Sequence, residues 1–331
     1  MEEALLSIEG LKTYFFTEAG VVKAVDGISF SLMKGESLGL VGESGSGKTV
    51  TALSVLRIVP KPGKITGGKI EFSGKNLLKN TEKEMQQMRG SEIAIIFQDP
   101  SSSLNPVYTV ETQLTDVVMA HQTVSRSEAK RKAIEILNLV GIPEAETRMR
   151  EYPHQFSGGM KQRVAIARAL ACQPTLLFAD EPTTNLDVTI QAQVLNLLND
   201  LKKKLGMSLV MITHDMGVIA EMTSRIVVLY AGRVCEIAGT NELFERPKHP
   251  YTESLLAAVP RLDMRKTLRV IPGNIPNLIT PPSGCRFHPR CSYAKPACKQ
   301  RIPILEEIKP RHIIACHEWR NISLTGEKAA D

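Results

Sequence analysis

Leu38-Gly39-Leu40-Val41-Gly42-Glu43-Ser44-Gly45-Ser46-Gly47-Lys48-Thr49 decides the reading of this chain. An apolar, strand-sized run ends in a glycine-rich turn that fits G-x-x-x-x-G-K-S/T, and the stretch Thr51 to Leu56 behind it reads as helix. That strand, turn and helix order is the context a phosphate cradle needs. Gly42, Gly45 and Gly47 let backbone N–H groups curl around an anion, with Ser44 and Ser46 in the same turn, and the helix N-terminus adds a favourable dipole. Lys48 is expected to neutralise the β and γ phosphates of ATP, and Thr49 to offer its hydroxyl to Mg²⁺.

Outward from this turn, apolar runs rich in β-branched residues alternate with amphipathic stretches through about residue 240, the pattern of an α/β domain with a largely parallel sheet. Leu38 to Gly42, Ile93 to Phe97, Thr175 to Asp180, Leu209 to Thr213 and Ile226 to Tyr230 read as strands. Runs around Glu71 and around Val234-Cys235-Glu236 suggest antiparallel hairpins on one side. Val110 to Leu170 reads as a helical insert, in which Arg126 to Val140 places Ala129, Ala133, Ile136, Leu137 and Val140 near one face.

The run Leu176-Leu177-Phe178-Ala179 ends in Asp180-Glu181, at the carboxyl end of an expected parallel strand, where nucleotides bind. Beside a phosphate loop, Asp180 is expected to hold Mg²⁺ through water and Glu181 to polarise the attacking water; in isolation the pair would only cap a strand.

Composition narrows the class further. The 331 residues are 43% hydrophobic, enough for a large domain with an appendage. The longest apolar runs are strand-sized, whereas a membrane-spanning helix needs about 20 apolar residues. Met1-Glu2-Glu3-Ala4-Leu5 lacks the features of a secretory signal, so a cytoplasmic location is expected. The net charge of +6, from 41 basic and 35 acidic residues without a long basic block, does not indicate nucleic-acid binding. Six cysteines in such a chain argue for thiols or a metal site rather than structural disulfides.

Past Glu245 the prolines Pro247, Pro250, Pro260, Pro272, Pro276, Pro281 and Pro282 punctuate the chain, and the tail is expected to be a separate module rather than a continuation of the sheet. Cys285, Cys291, Cys298 and Cys316 give C-x5-C-x6-C-x17-C. Four thiolates at one locus suit tetrahedral zinc or an iron–sulfur cluster, with ordinary reduced thiols as the third reading. Cys172 and Cys235 read as small buried apolar residues.

Phe156-Ser157-Gly158-Gly159-Met160-Lys161-Gln162-Arg163 resembles the signature of the ATP-binding cassette (ABC) family, ahead of the amphipathic helix Val164 to Leu170. The resemblance implies a P-loop NTPase (RecA-like) core with an antiparallel β subdomain and a helical subdomain at about 105–170, giving a cassette over 1–245 and an extension over 246–331. It implies that Ser157, Gly158 and Gly159 clamp the γ phosphate bound to an opposing subunit, that Gln98 reaches Mg²⁺ and senses the membrane subunits, and that His214 contacts the γ phosphate. Asn185-Leu186-Asp187 resembles the D-loop, with Asn185 where Ala is more usual. The adenine is expected on an aromatic ring of Tyr14-Phe15-Phe16, with Phe15 favoured and at least one ring of the three in the core.

Within the family, Ile95-Ile96-Phe97-Gln98-Asp99-Pro100, Ser103-Leu104-Asn105-Pro106, Tyr152-Pro153-His154-Gln155-Phe156-Ser157 and Arg246-Pro247-Lys248-His249-Pro250-Tyr251-Thr252 resemble the ATPase subunits of dipeptide and oligopeptide importers, and also close relatives that import nickel or other small solutes. Such a subunit is implied to sit at the cytoplasmic face of the membrane on two permease subunits. It would pair with a second ATPase subunit or with itself, an external solute-binding protein acting indirectly. A soluble, non-transport ABC ATPase is the alternative, but it would need a coiled-coil insert or a second cassette. Similar tails imply a 4Fe-4S cluster on Cys285, Cys291, Cys298 and Cys316, with Zn²⁺ the alternative.

Overall fold

The computed structural model describes residues 4–184, 186–258, 271–322 and 324. Among them the strands are β1 (Ala4–Thr17), β2 (Gly20–Met33), β3 (Ser37–Val41), β4 (Gly63–Phe72), β5 (Lys75–Asn76), β6 (Ile93–Ile96), β7 (Leu176–Asp180), β8 (Ser208–Thr213), β9 (Arg225–Tyr230), β10 (Arg233–Gly239), β11 (Glu306–Lys309) and β12 (His312–Ile314). The chain divides into two compact units, one of residues 1–33, 37–78 and 212–331, the other of 34–36 and 79–211.

In the first unit β1 and β2 are long, amphipathic and antiparallel, and with β4 and β5 they form a sheet in the order β2-β1-β4-β5. Leu6, Ile8, Leu11, Ile28 and Leu32 bury one face, each fully enclosed aliphatic chain contributing about 1.5–3 kcal/mol. A second set runs in the order β11-β12-β10-β9-β3. All five residues of β3 and all six of β9 are buried, which is why these strands read as continuous apolar runs rather than alternating ones. They pair in parallel, Leu38 opposite Arg225 and Val41 opposite Val228.

In the second unit β6 and β7 pair in parallel, Ile93 opposite Leu176 and Ile96 opposite Ala179, and β8 lies next to β7. Here too are the helices Val110–His121, Arg126–Leu139, Gly158–Leu170 and Val188–Leu205. Side chains start each of them: Thr109 accepts from the Thr112 N–H, Ser125 from Glu128, Ser157 from Met160 and Asp187 from Ile190. Each such cap stabilises its helix by about 1 kcal/mol. The face of Arg126–Leu139 that is buried carries Ala129, Ala133, Ile136 and Leu137, as its spacing predicts.

Both hairpins are antiparallel and lie in the first unit, β4 and β5 in the smaller sheet and β10 beside β9 in the larger one. One expectation needs correction: the tail does not stay apart from the sheet. β12 pairs with β10, Glu236 opposite Ile314 and Ile237 opposite Ile313, and β11 then pairs with β12. The open edge of β10 carries unpaired N–H and C=O groups, and a returning strand satisfies them despite the proline-rich path that leads to it.

Candidate functional site

The phosphate loop follows β3 directly and ends in the helix Lys48–Val55. Gly47, at φ +100°, caps that helix, and a Cβ there would lie 2.6 Å from the Ala24 carbonyl oxygen, so glycine is required. The Lys48 ammonium donates to the carbonyl oxygens of Gly42 (2.7 Å) and Glu43 (3.0 Å), and Ser46 N–H donates to the same Glu43 carbonyl at 3.1 Å. Ser46 and Lys48 are buried, while Ser44 and Gly45 are exposed at the tip. The loop is therefore a closed turn whose cation is held on its own carbonyls. Thr49 is the second residue of the helix, in its first turn.

In the second unit Asp180 ends β7 and is buried, 5% exposed. Glu181 follows in the left-handed region at φ +46°, which a non-glycine residue rarely adopts and which costs about 1–3 kcal/mol. Its carboxylate accepts from the Gln98 amide at 2.8 Å and from the Thr184 hydroxyl at 3.1 Å. The two residues that the sequence assigns to water activation and sensing are thus in direct contact, and the backbone of Glu181 is turned to aim it there. Gln98 itself lies on the exposed segment just past β6.

Ser157, Gly158 and Gly159 begin the helix Gly158–Leu170. A Cβ at Gly159 would lie 2.8 Å from the Ile190 side chain, which explains the second glycine by packing. His214 follows β8 and is exposed, one residue before Asp215, whose side chain caps the helix Met216–Met222. Asn185 lies outside the described residues.

None of the three aromatic candidates for adenine is fully buried, contrary to the expected alternation. Phe15 and Tyr14 are half-buried and Phe16 is 46% exposed, with Lys64 above its ring. A register shift between Thr13 and Phe15 breaks the alternation, leaving Thr13 as the buried residue. Tyr14 is spoken for: its hydroxyl donates to Asp26 at 2.6 Å, and burial followed by that carboxylate pushes its pKa up to about 12. Phe15 packs its ring edge beside Gly63, where a Cβ would lie 2.8 Å from it.

In the tail Cys285, Cys291, Cys298 and Cys316 line one small cavity, together with Phe287, Tyr293 and His317 among others. All four are free thiols. Burial raises the pKa of Cys285, pushes Cys291 up to about 11 and pushes Cys316 up to about 12. Among the described residues no group of three or more His, Cys, Asp or Glu side chains is arranged to grip a metal ion. Four thiolates at one locus suit either tetrahedral zinc or an iron–sulfur cluster. Cys235 is buried as expected, but Cys172 is only half-buried.

The sequence reading gave no role to Thr184, Tyr251, Arg286 or Arg290; the last three come from the tail, Tyr251 from the stretch Arg246 to Thr252 and the two arginines from between Cys285 and Cys291.

The chain resembles known proteins along most of its length. Residues 25–184 match the ABC transporter family, and residues 235–298 match the oligopeptide/dipeptide transporter C-terminal region. The oligopeptide transport ATP-binding protein OppD of Escherichia coli (strain K12) is 48% identical over 95% of this chain and 93% of its own length. The chain belongs to the ABC transporter ATP-binding proteins. The dipeptide transport ATP-binding protein DppD of the same organism is 46% identical over 95% of this chain and 96% of its own. A solved dimeric structure of the ATP-binding cassette MJ0796, in a post-hydrolysis state bound to ADP and Pi, superposes with a TM-score of 0.64 at 26% identity, covering 71% of this chain and 98% of that one. This ABC cassette is accordingly an ATPase with the α/β cassette fold, and its family implies ATP and Mg²⁺ as ligands. Among its described residues no helix is long and apolar enough to cross a membrane.

Proposed function

We propose that this ABC ATPase powers the import of di- or oligopeptides. The observation that carries the reading is full-length similarity: relatives named for peptide transport are 46–50% identical across at least 93% of this chain and of themselves, tail included. The cassette, residues 1–245, sits at the cytoplasmic face of the membrane on two permease subunits, paired with a second ATPase subunit or a copy of itself. An external binding protein delivers the solute. Nickel or another small solute is the second reading, since the ATPase need not touch cargo.

Lys48, with the loop Gly42, Ser44, Gly45, Ser46 and Gly47, holds the phosphates, and Phe15 takes the adenine. Thr49, Gln98 and Asp180 attend Mg²⁺, directly or through water. Glu181 polarises the attacking water and His214 contacts the γ phosphate. The polar contact of Gln98 with Glu181 supports their shared role. Ser157, Gly158 and Gly159 serve the nucleotide of an opposing cassette, and the exposed start of their helix supports this. Reconstituted with its permease subunits in liposomes, the protein should take up a labelled di- or oligopeptide in an ATP-dependent way; uptake of nickel but of no peptide would move the assignment to the second reading.

The extension, residues 246–331, carries a 4Fe-4S cluster on Cys285, Cys291, Cys298 and Cys316. Their shared cavity and the all-sulfur donor set support this. Anaerobically purified protein should be brown and hold about four irons and four sulfides per chain. A colourless protein with one zinc would leave the tail a structural clip.

A further inference from the structure

Within the first unit, the four-cysteine segment reaches the phosphate loop by three routes. The Arg290 guanidinium, next to Cys291, donates to both carboxylate oxygens of Glu43, at 2.7 and 3.1 Å. Its side chain is only 5% exposed. Arg290 is fixed in turn by the carbonyls of Ile271 and Pro272 and by the ring of Tyr230, 5.7 Å from its centroid. Secondly, Glu43 N–H donates to the Tyr251 hydroxyl at 2.9 Å, and Tyr251 packs in a buried aromatic cluster against Tyr230 (4.6 Å between centroids) and Phe287 of the cysteine segment (5.2 Å). Thirdly, Arg286, next to Cys285, donates to the Ala231 carbonyl and to Asp26 (2.5 Å). The adjoining Gly232 N–H donates to the Ser46 carbonyl at 2.9 Å. Glu43 is therefore gripped at its side chain and its N–H by the tail, while its carbonyl receives Lys48.

We infer that the four-cysteine segment is a brace for the phosphate loop, with Arg290 and Tyr251 as positioning residues that hold Glu43 and through it the backbone that binds ATP. The inference rests on reading Gly42–Thr49 as the phosphate site. A bidentate guanidinium–carboxylate contact fixes both position and angle, which a lysine or a hydrophobic contact does not. A loop ordered before the nucleotide arrives spares the binding step the cost of ordering it. Loss of the brace should therefore appear in ATP affinity, with turnover at saturation largely kept.

The test uses the full-length protein and MgATP. Arg290→Met and Glu43→Ala should each weaken MgATP binding at least about fivefold and raise KM, with kcat within about twofold and the iron and thiol counts unchanged. Acting through one contact, the double variant should bind no worse than the weaker single one. Unchanged affinity in Glu43→Ala, which leaves the tail sequence intact, would overturn the brace even if Arg290→Met fails to fold. So would effects of the two substitutions that multiply, or a loss confined to kcat. Lys48→Ala separates the two readings: if it binds MgATP normally the phosphate site itself is misassigned, and if it loses binding while Glu43→Ala does not, only the brace fails.

Discussion

The phosphate loop and the strand end at Asp180-Glu181 each follow a fully buried parallel strand, but they are held in different ways. Around the loop, Ser46 and Lys48 are buried, and Glu43 is fixed by side chains more than 200 residues away in sequence. At the strand end, Asp180 is buried while Glu181 is half-exposed, on left-handed backbone, with Gln98 and Thr184 on its carboxylate. The contrast fits the proposed roles: anion binding is best served by donors that need no rearrangement, whereas a group proposed to activate water would exchange contacts as it works.

The largest effect should come from the strand end. Glu181→Gln is expected to lower turnover about 10²- to 10⁴-fold, the range general base catalysis supplies, while MgATP binding persists. A phosphate-release assay beside a binding titration measures both; near-normal turnover would remove Glu181 from its role and erase the contrast. Lys48→Ala should reverse the pattern, weakening MgATP binding about 10- to 100-fold through loss of charge-assisted bonds of about 1.5–3 kcal/mol. Equilibrium titration with a fluorescent nucleotide reads it. Gln98→Ala should be milder, lowering kcat about 2- to 10-fold with unchanged affinity, since it removes one neutral donor to Glu181. A change in affinity instead would place Gln98 with the binding half.

The smallest effect belongs to the tail strand that extends the sheet. His312 on β12 is buried, with Nε2 2.8 Å from Glu236 and Nδ1 3.3 Å from Glu242. Burial alone would lower its pKa, but the two carboxylates outweigh it and raise the value. Its contribution to stability is thus complete below the unfolded value of about 6.5 and is lost as pH rises through the higher folded value. Denaturant unfolding of the parent and of His312→Gln should differ more at pH 6 than at pH 9. A difference that grows with pH would contradict the sign.

The buried strands β3, β6, β7, β8 and β9 were legible because such strands are short, continuous apolar runs, and their predicted and observed limits differ by a residue or so; the long antiparallel β1 and β2 were given no limits. The strand, turn and helix order around Gly42–Thr49 was legible for a related reason: the backbone geometry admits few residue types, and the pattern is local. The arrangement of Tyr14-Phe15-Phe16 was not, because a register shift in β1 changes which side chains face inward without any mark in the sequence.

The sequence by itself determined the family, the nucleotide motifs and the helical insert, since each rests on residues near one another along the chain or on a periodicity that burial imposes. Only the tertiary structure decided that the tail completes the sheet edge at β10, that Glu181 takes a left-handed backbone with Gln98 against it, and that Arg290 grips Glu43. Those depend on pairings between distant segments. A hydrogen-bonding edge, a carboxylate or a guanidinium accepts any partner of the right kind, and it is the folded path of the chain that selects which one arrives.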